Sequence, residues 1–289
     1  MKKILSITLI TALFLTIIGC AETGETLENG DVYATNVSYT TSNSGRSMSV
    51  PAERESEVEY LSIQITALPS KDAEELTETA DVVIIGEVTG ISFEVLDAAT
   101  GLPPNDETLE NERWFFTIYD IDVITLYKGE ISDRVQMSVI GGIKDYRVEE
   151  QFKELEKAYS WFQGSIPIND NMPRINIGDI YLFVLWHSGT DRLSNSTPHQ
   201  SFFNLSGRDS DPFKKQGFYE LDNPAEYYSR DRDLYNNPII SAKDIISTFG
   251  DDKWDIFWSD WQRSNPDWDT WIDRSAVEEV LRESGARVD

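Results

Sequence analysis

Hydrophobic and polar positions change period several times along the chain, and each change marks an element. Val82-Val83-Ile84-Ile85-Gly86-Glu87-Val88 is apolar and β-branched, and Ile91, Phe93 and Val95 continue the alternation one residue out of phase. An extra residue at Gly90, as in a β-bulge, produces that shift and bends the strand. Residues Trp114 to Tyr127 form a long strand in which Phe115, Thr117, Tyr119, Ile121 and Val123 share one face while Asp120 and Asp122 take the other. Lys128-Gly129-Glu130 turns the chain, and Val135, Met137 and Val139 mark the returning strand. After Gly141-Gly142, Val148, Phe152, Leu155, Tyr159 and Phe162 recur at helical spacing, which predicts an amphipathic helix on the sheet or across one end of a barrel. Ile180 to Trp186 is apolar on both faces and reads as a central strand. Short strands are expected at Ser201 to Leu205 and at Gly217 to Leu221, and a weaker one between Val32 and Tyr39.

Helical patterns flank this core. Ser70 to Thr79 reads as a short helix capped by Ser70, with Asp72, Glu74 and Glu75 near its positive end. From Ser241 the pattern is helical to the end. Ser241 with Asp244 forms a capping box, and Gly250 ends that turn. Trp254, Phe257, Trp258 and Trp261 follow at i, i+3, i+4 and i+7, and Ser275 with Glu278 caps a third segment. The order strand, strand, strand, helix, strand, strand predicts a β-rich α+β fold, an OB-like Greek-key barrel with an inserted helix and a C-terminal helical appendage. The expected organisation is a leader at 1–19, a tether at 20–57, the barrel domain at 58–240 and the tryptophan-rich appendage at 241–289.

The amino terminus adds a location. Met1-Lys2-Lys3 precedes an uncharged apolar run ending at Gly19, too short for the roughly 20 residues of a spanning helix. Ile17-Ile18-Gly19-Cys20 resembles the lipobox of bacterial lipoproteins. That resemblance implies a cleaved signal peptide, a lipidated Cys20 as the first mature residue, and a protein held at the extracytoplasmic face of a bacterial cell membrane. Residues 21 to about 57 are rich in Thr, Ser, Asn, Glu and Gly and read as a flexible tether.

Composition narrows the chemistry. The chain has 289 residues, 51 acidic against 25 basic side chains, a net charge of -26, two histidines and one cysteine. Such an acidic surface repels a phosphate backbone, so nucleic acid is excluded as a partner. One cysteine excludes an intramolecular disulfide framework and a Cys-based zinc cluster. His187 and His199 have no accompanying catalytic signature and read as surface or strand-end residues. Asn265, Asp267, Asp269 and Asp273 alternate like a calcium loop, but Thr270 replaces the required glycine and Ala276 the bidentate glutamate. No catalytic residue, metal site or cofactor is assigned. The stripe from Trp254 to Trp261 reads as packing. Trp268 and Trp271, in a polar, Asp-rich stretch, are the candidate ligand-binding residues, able to stack on a sugar ring.

Three stretches carry a second resemblance. Ala80-Asp81-Val82-Val83-Ile84, then Phe116 to Ile121 leading to Tyr127-Lys128-Gly129, then Ile177-Gly178-Asp179-Ile180-Tyr181-Leu182, are similar to the netrin-like domain of tissue inhibitors of metalloproteinases over roughly Ala80 to Phe218. The resemblance implies an OB-like barrel. That family inhibits with a disulfide-bonded N-terminal cysteine beside the barrel, whereas Cys20 lies far from it in sequence and has no cysteine to pair with. The function expected is therefore a lipid-anchored binding module for a protein or cell-wall glycan partner, more readily than an enzyme. A carboxylate-dependent glycan hydrolase and a protease inhibitor acting through a barrel loop are the alternatives.

Overall fold

The computed structural model describes residues 36–40, 58–66, 69–159, 162, 164–169, 172–188, 192–195, 198–207, 210–216, 239–272 and 274–283. These elements belong to the unit Thr35–Asp289 and make a β-rich α+β protein. A three-stranded sheet has the order β1-β2-β6, from β1 (Asn36–Thr40), β2 (Glu59–Thr66) and β6 (Ser165–Asn169). A mixed six-stranded sheet has the order β3-β4-β5-β8-β7-β9, from β3 (Val82–Asp97), β4 (Arg113–Lys128), β5 (Arg134–Ile140), β7 (Ile180–His187), β8 (Leu193–Ser194) and β9 (Phe202–Asn204). Because β3 also pairs with β7, five of these strands form a closed circuit, β3-β4-β5-β8-β7 and back to β3. All pairings in the circuit are antiparallel except that of β5 with β8.

The length of β3 lets one strand pair on both sides, and its glycines let it bend. The register with β4 slips between Val88 and Gly90, so the unpaired residue is Thr89. On the near side of this bulge the even positions Val82, Ile84 and Val88 face the inner core; beyond it the odd positions Ile91, Phe93 and Val95 do. A Cβ on Gly86 would lie 2.5 Å from the Ile121 Cγ2 atom, and one on Gly90 would lie 2.5 Å from an Asp120 carboxylate oxygen. Glycine gives β3 its close approach to β4 at 86, where the Asp122 backbone oxygen also stands 3.0 Å away, while a side chain at 90 would require the Asp120 carboxylate to move.

The circuit has an apolar filling and an apolar coat. Inside, Phe115, Tyr119 and Ile121 of β4 meet Met137 and Val139 of β5 and Tyr181, Phe183 and Leu185 of β7. On the other side of the same strands, Val83, Ile85, Leu182 and Val184 lie beneath helices Ala242–Ser247 and Asp251–Ser264 and residues Ile272 and Val277. Both faces of β7 are thus buried, as its uninterrupted apolar run requires. The capping box forms as read: the Ser241 hydroxyl accepts from the Asp244 amide at 3.1 Å, and the Asp244 carboxylate accepts from the Ser241 amide at 2.7 Å.

Helix α1 (Ala73–Thr79) is capped by Asp72 instead of Ser70, its carboxylate accepting from the Glu75 amide at 2.8 Å. The Ser70 amide instead donates to the Gln200 side chain at 2.9 Å. Lys128 closes the other end of α1, donating to the carbonyls of Thr77 and Glu78 at 2.8 and 2.7 Å. The final helix begins at Arg274, which places Ser275 inside its first turn and not at its cap. Helix α2 (Val148–Ala158) packs against β3 and β6, with Leu155 buried in the inner core. Phe162 lies beyond its end, its ring 5.7 Å from that of Phe152. The strand read at Gly217 to Leu221 lies outside the described residues.

Candidate functional site

The loop from β5 to α2 forms one wall of a cavity of about 310 Å³, at the small end of the range for ligand sites. Thr117 and Tyr119 of β4 and Val139 of β5 contribute to it, as do Ile168 and Asn169 of β6 and the segment Met172 to Ile175.

Local sequence dictates the loop. Gly141 has φ +95°, and a Cβ there would meet the Asn169 amide nitrogen at 3.0 Å. Gly142 has space only for hydrogen, since a Cβ would fall 2.0 Å from the Gln151 side-chain oxygen. Gln151 of α2 is fully buried and holds the loop by its backbone. Its oxygen accepts from the Ile143 amide at 3.1 Å, and its nitrogen donates to the carbonyls of Ile143 and Tyr146 at 2.9 and 2.5 Å. Two non-glycine residues in this loop have left-handed backbone, Asp145 at φ 56° and Arg147 at φ 44°. Such conformations cost about 1 kcal/mol or more each and persist where surrounding contacts over-determine them. Here the Tyr60 hydroxyl donates to the Asp145 carboxylate and accepts from its amide, both at 3.0 Å. The Arg147 guanidinium donates to the Ile91 carbonyl at 3.0 Å.

Three features of the cavity bear on chemistry. Tyr119 is only 3% exposed, yet its hydroxyl hydrogen-bonds to none of the described residues. Burial pushes its phenol well above the ordinary tyrosine value, helped by the neighbouring Tyr181 and Tyr146, so it is a neutral donor. Buried tyrosine hydroxyls usually find a partner; here the cavity is where one can come from. Lys144 and Arg174 also line the cavity, both exposed and neither in an ion pair with a described carboxylate. The Lys144 ammonium sits 5.8 Å from the centre of the Tyr60 ring. Apolar side chains, among them Val139, Ile140, Ile168, Met172 and Ile175, supply much of the remaining wall.

A second polar face is satisfied from within. Arg192 grips Glu94 through both terminal nitrogens at 2.9 and 3.0 Å and donates from Nε to Gln136 at 3.1 Å. Gln136 donates to Asp120 at 2.9 Å, and Arg134 makes two bonds to Asp122 at 2.7 and 3.2 Å. The Arg134 guanidinium holds the Asp122 carboxyl below the usual carboxylate range. Asp120 and Asp122, which point away from the apolar face of β4 as its alternation requires, and Glu94 of β3 thus tie β3, β4 and β5 to one another and to Arg192, just before β8.

Trp268 and Trp271 are half-buried members of the aromatic cluster over the outer sheet face. Trp268 meets Trp258 edge-on at 5.1 Å and Trp271 meets Trp261 at 5.7 Å. Trp254, Phe257 and Trp261 are buried, and the Trp261 indole nitrogen donates to the Leu205 carbonyl at 3.0 Å. His187 is an exposed strand-end residue whose amide donates to Asp81 at 2.8 Å. Cys20 and the His199 side chain lie outside the described residues. Among the described residues, no three His, Cys, Asp or Glu side chains converge to hold a metal ion. No described helix is long and apolar enough to cross a membrane.

The sequence reading placed Tyr119 only on a core face and assigned no site to Lys144, Gln151 or Arg174. Gln151 carried a signal: it occupies an apolar-stripe position, three residues after Val148 and four before Leu155, where a polar residue needs a buried partner. A scan against protein-family models finds no match for this chain, and a search of curated proteins finds none either.

Proposed function

We propose that this chain is a lipid-anchored, extracytoplasmic binding module, tethered through Cys20 to a bacterial cell membrane, whose folded body captures a protein or cell-wall glycan partner. In this reading the five-stranded circuit is an OB-like Greek-key barrel related to the netrin-like domain. The order β3-β4-β5-β8-β7 with one parallel pair, and α2 inserted between the third and fourth circuit strands, support it. The observation that carries the binding function is the cavity at the β5–α2 loop, lined by Tyr119, whose hydroxyl bonds to none of the described residues, and by two cations that meet no described carboxylate. The leader ending at Gly19-Cys20 supports the anchor, since two or more acyl chains on one residue give stable membrane attachment where a single chain does not.

Cys20→Ala tests the anchor. In cells given an alkyne fatty acid, the parent chain is expected in the membrane fraction with the label, and the variant unlabelled and retaining its uncleaved leader. A labelled variant, or an unlabelled parent, contradicts the lipid anchor.

A further inference from the structure

Two cations that meet no described carboxylate line one cavity, in a chain with twice as many acids as bases. Several cations in the described body are engaged: Arg134 by Asp122, Lys157 by Glu154, Arg192 by Glu94, Arg263 by Asp260, Lys128 by two helix-end carbonyls and Arg113 by the carbonyls of Ala158 and Thr108. Lys144 and Arg174 line the same cavity, one on the β5–α2 loop and the other on the segment after β6. The nearest acid by position, Asp145, is engaged by the Tyr60 hydroxyl.

We propose that the cavity binds a small organic anion: its carboxylate at Lys144 and Arg174, its apolar body against Ile140, Ile168 and Met172, and a polar group at its other end on the Tyr119 hydroxyl. This rests on the reading of the chain as a binding module but names a ligand chemistry of its own, distinct from that of a macromolecular partner. The parts fit one another. A carboxylate gains charge-assisted hydrogen bonds from ammonium and guanidinium groups, and the surrounding acidic surface repels anions that cannot reach both cations. An apolar body removes the walls from water. The neutral Tyr119 phenol, deprived of a protein partner by its position in β4, selects ligands that bring one. The Gln151 clamp fixes the loop carrying Lys144 before a ligand arrives, which lowers the ordering cost of binding.

The test is titration of the full-length protein with 4-hydroxyphenylacetate, its amide 4-hydroxyphenylacetamide, and phenylacetate, followed by ligand-observed NMR. The hydroxy acid is expected to bind at least tenfold more tightly than its amide and several-fold more tightly than phenylacetate. Tyr119→Phe is expected to bring the two acids together while leaving the acid-to-amide ratio intact. The double change Lys144→Gln with Arg174→Gln is expected to abolish the acid-to-amide ratio, with the thermal midpoint unchanged. Equal binding of acid and amide, no saturable binding of any probe, or an unaltered difference between the two acids in Tyr119→Phe overturns the proposal. If macromolecular capture in cells survives the double change while the probes fail to bind, the reading of a tethered binding module stands, and both the anion site and the placing of the partner at this cavity fall.

Discussion

Trp261→Ala is expected to lower the stability of the folded body by about 4 kcal/mol, the range for emptying a buried tryptophan site. Trp261 is 5% exposed and stands at the centre of the aromatic cluster, stacked on Trp258 at 5.1 Å and edge-on to Trp271 at 5.7 Å. Its indole nitrogen is also the partner of the Leu205 carbonyl, just beyond β9. Truncation therefore opens a cavity and orphans a buried acceptor at once. At about 2–4 °C per kcal/mol for a body of this size, the thermal midpoint falls by about 8–16 °C. Trp261→Phe retains most of the ring packing and loses the N–H, so about 1–2 kcal/mol is expected. If Trp261→Ala melts with the parent, the helices at 242–264 do not share a core with the outer face of β3 and β7.

Gln151→Leu is the second change with a large expected effect. Leucine fills a similar volume but leaves the Ile143 amide and the carbonyls of Ile143 and Tyr146 without the bonds Gln151 supplies. Each buried group left unsatisfied costs about 1–3 kcal/mol, so a loss of about 3 kcal/mol is expected when partial hydration is allowed for. The loop loses more than stability. The left-handed conformations at Asp145 and Arg147 are held by the contacts around them, and with Gln151 gone the segment carrying Lys144 relaxes. Gly142→Ala attacks the same arrangement from the other side, since its Cβ would fall on the Gln151 oxygen. Hydrogen exchange at residues 141–147 is expected to accelerate in both variants. Unchanged exchange there, even with lowered stability, contradicts the role given to Gln151.

The features legible in the sequence are those written in local periodicity. The phase shift along β3 locates its bulge to within one residue, at Thr89 where Gly90 was read, because a period of two admits only one way to exchange faces. The Ser241–Asp244 box and the stripe Trp254, Phe257, Trp258 and Trp261 are equally local; the box forms, and the stripe packs on the outer core with Trp258 only partly buried. What escaped the reading depends on distant partners. Strands β2 and β6 pair in parallel across about a hundred residues, and β8 is two residues long; neither leaves a repeating pattern. The α1 cap is Asp72, the residue directly before Ala73, while the backbone of Ser70 pairs with Gln200, 130 residues away. The alternation of β4 puts Tyr119 on the core face. That its hydroxyl would meet a cavity instead of a carbonyl depends on where the β5–α2 loop and residues 172–175 come to rest.

The central claim, that the cavity at the β5–α2 loop is where this chain holds its partner, is tested most directly by site-specific photo-crosslinking in intact cells. The crosslinking residue is placed either at Met172, half-buried on the cavity wall, or at Asp252, exposed on the helix Asp251–Ser264. The expected result is a discrete adduct from position 172 that disappears on Tyr119→Phe or on the paired change of Lys144 and Arg174 to Gln, with none from position 252. An adduct from position 252 with none from 172, or one from 172 indifferent to those changes, contradicts it.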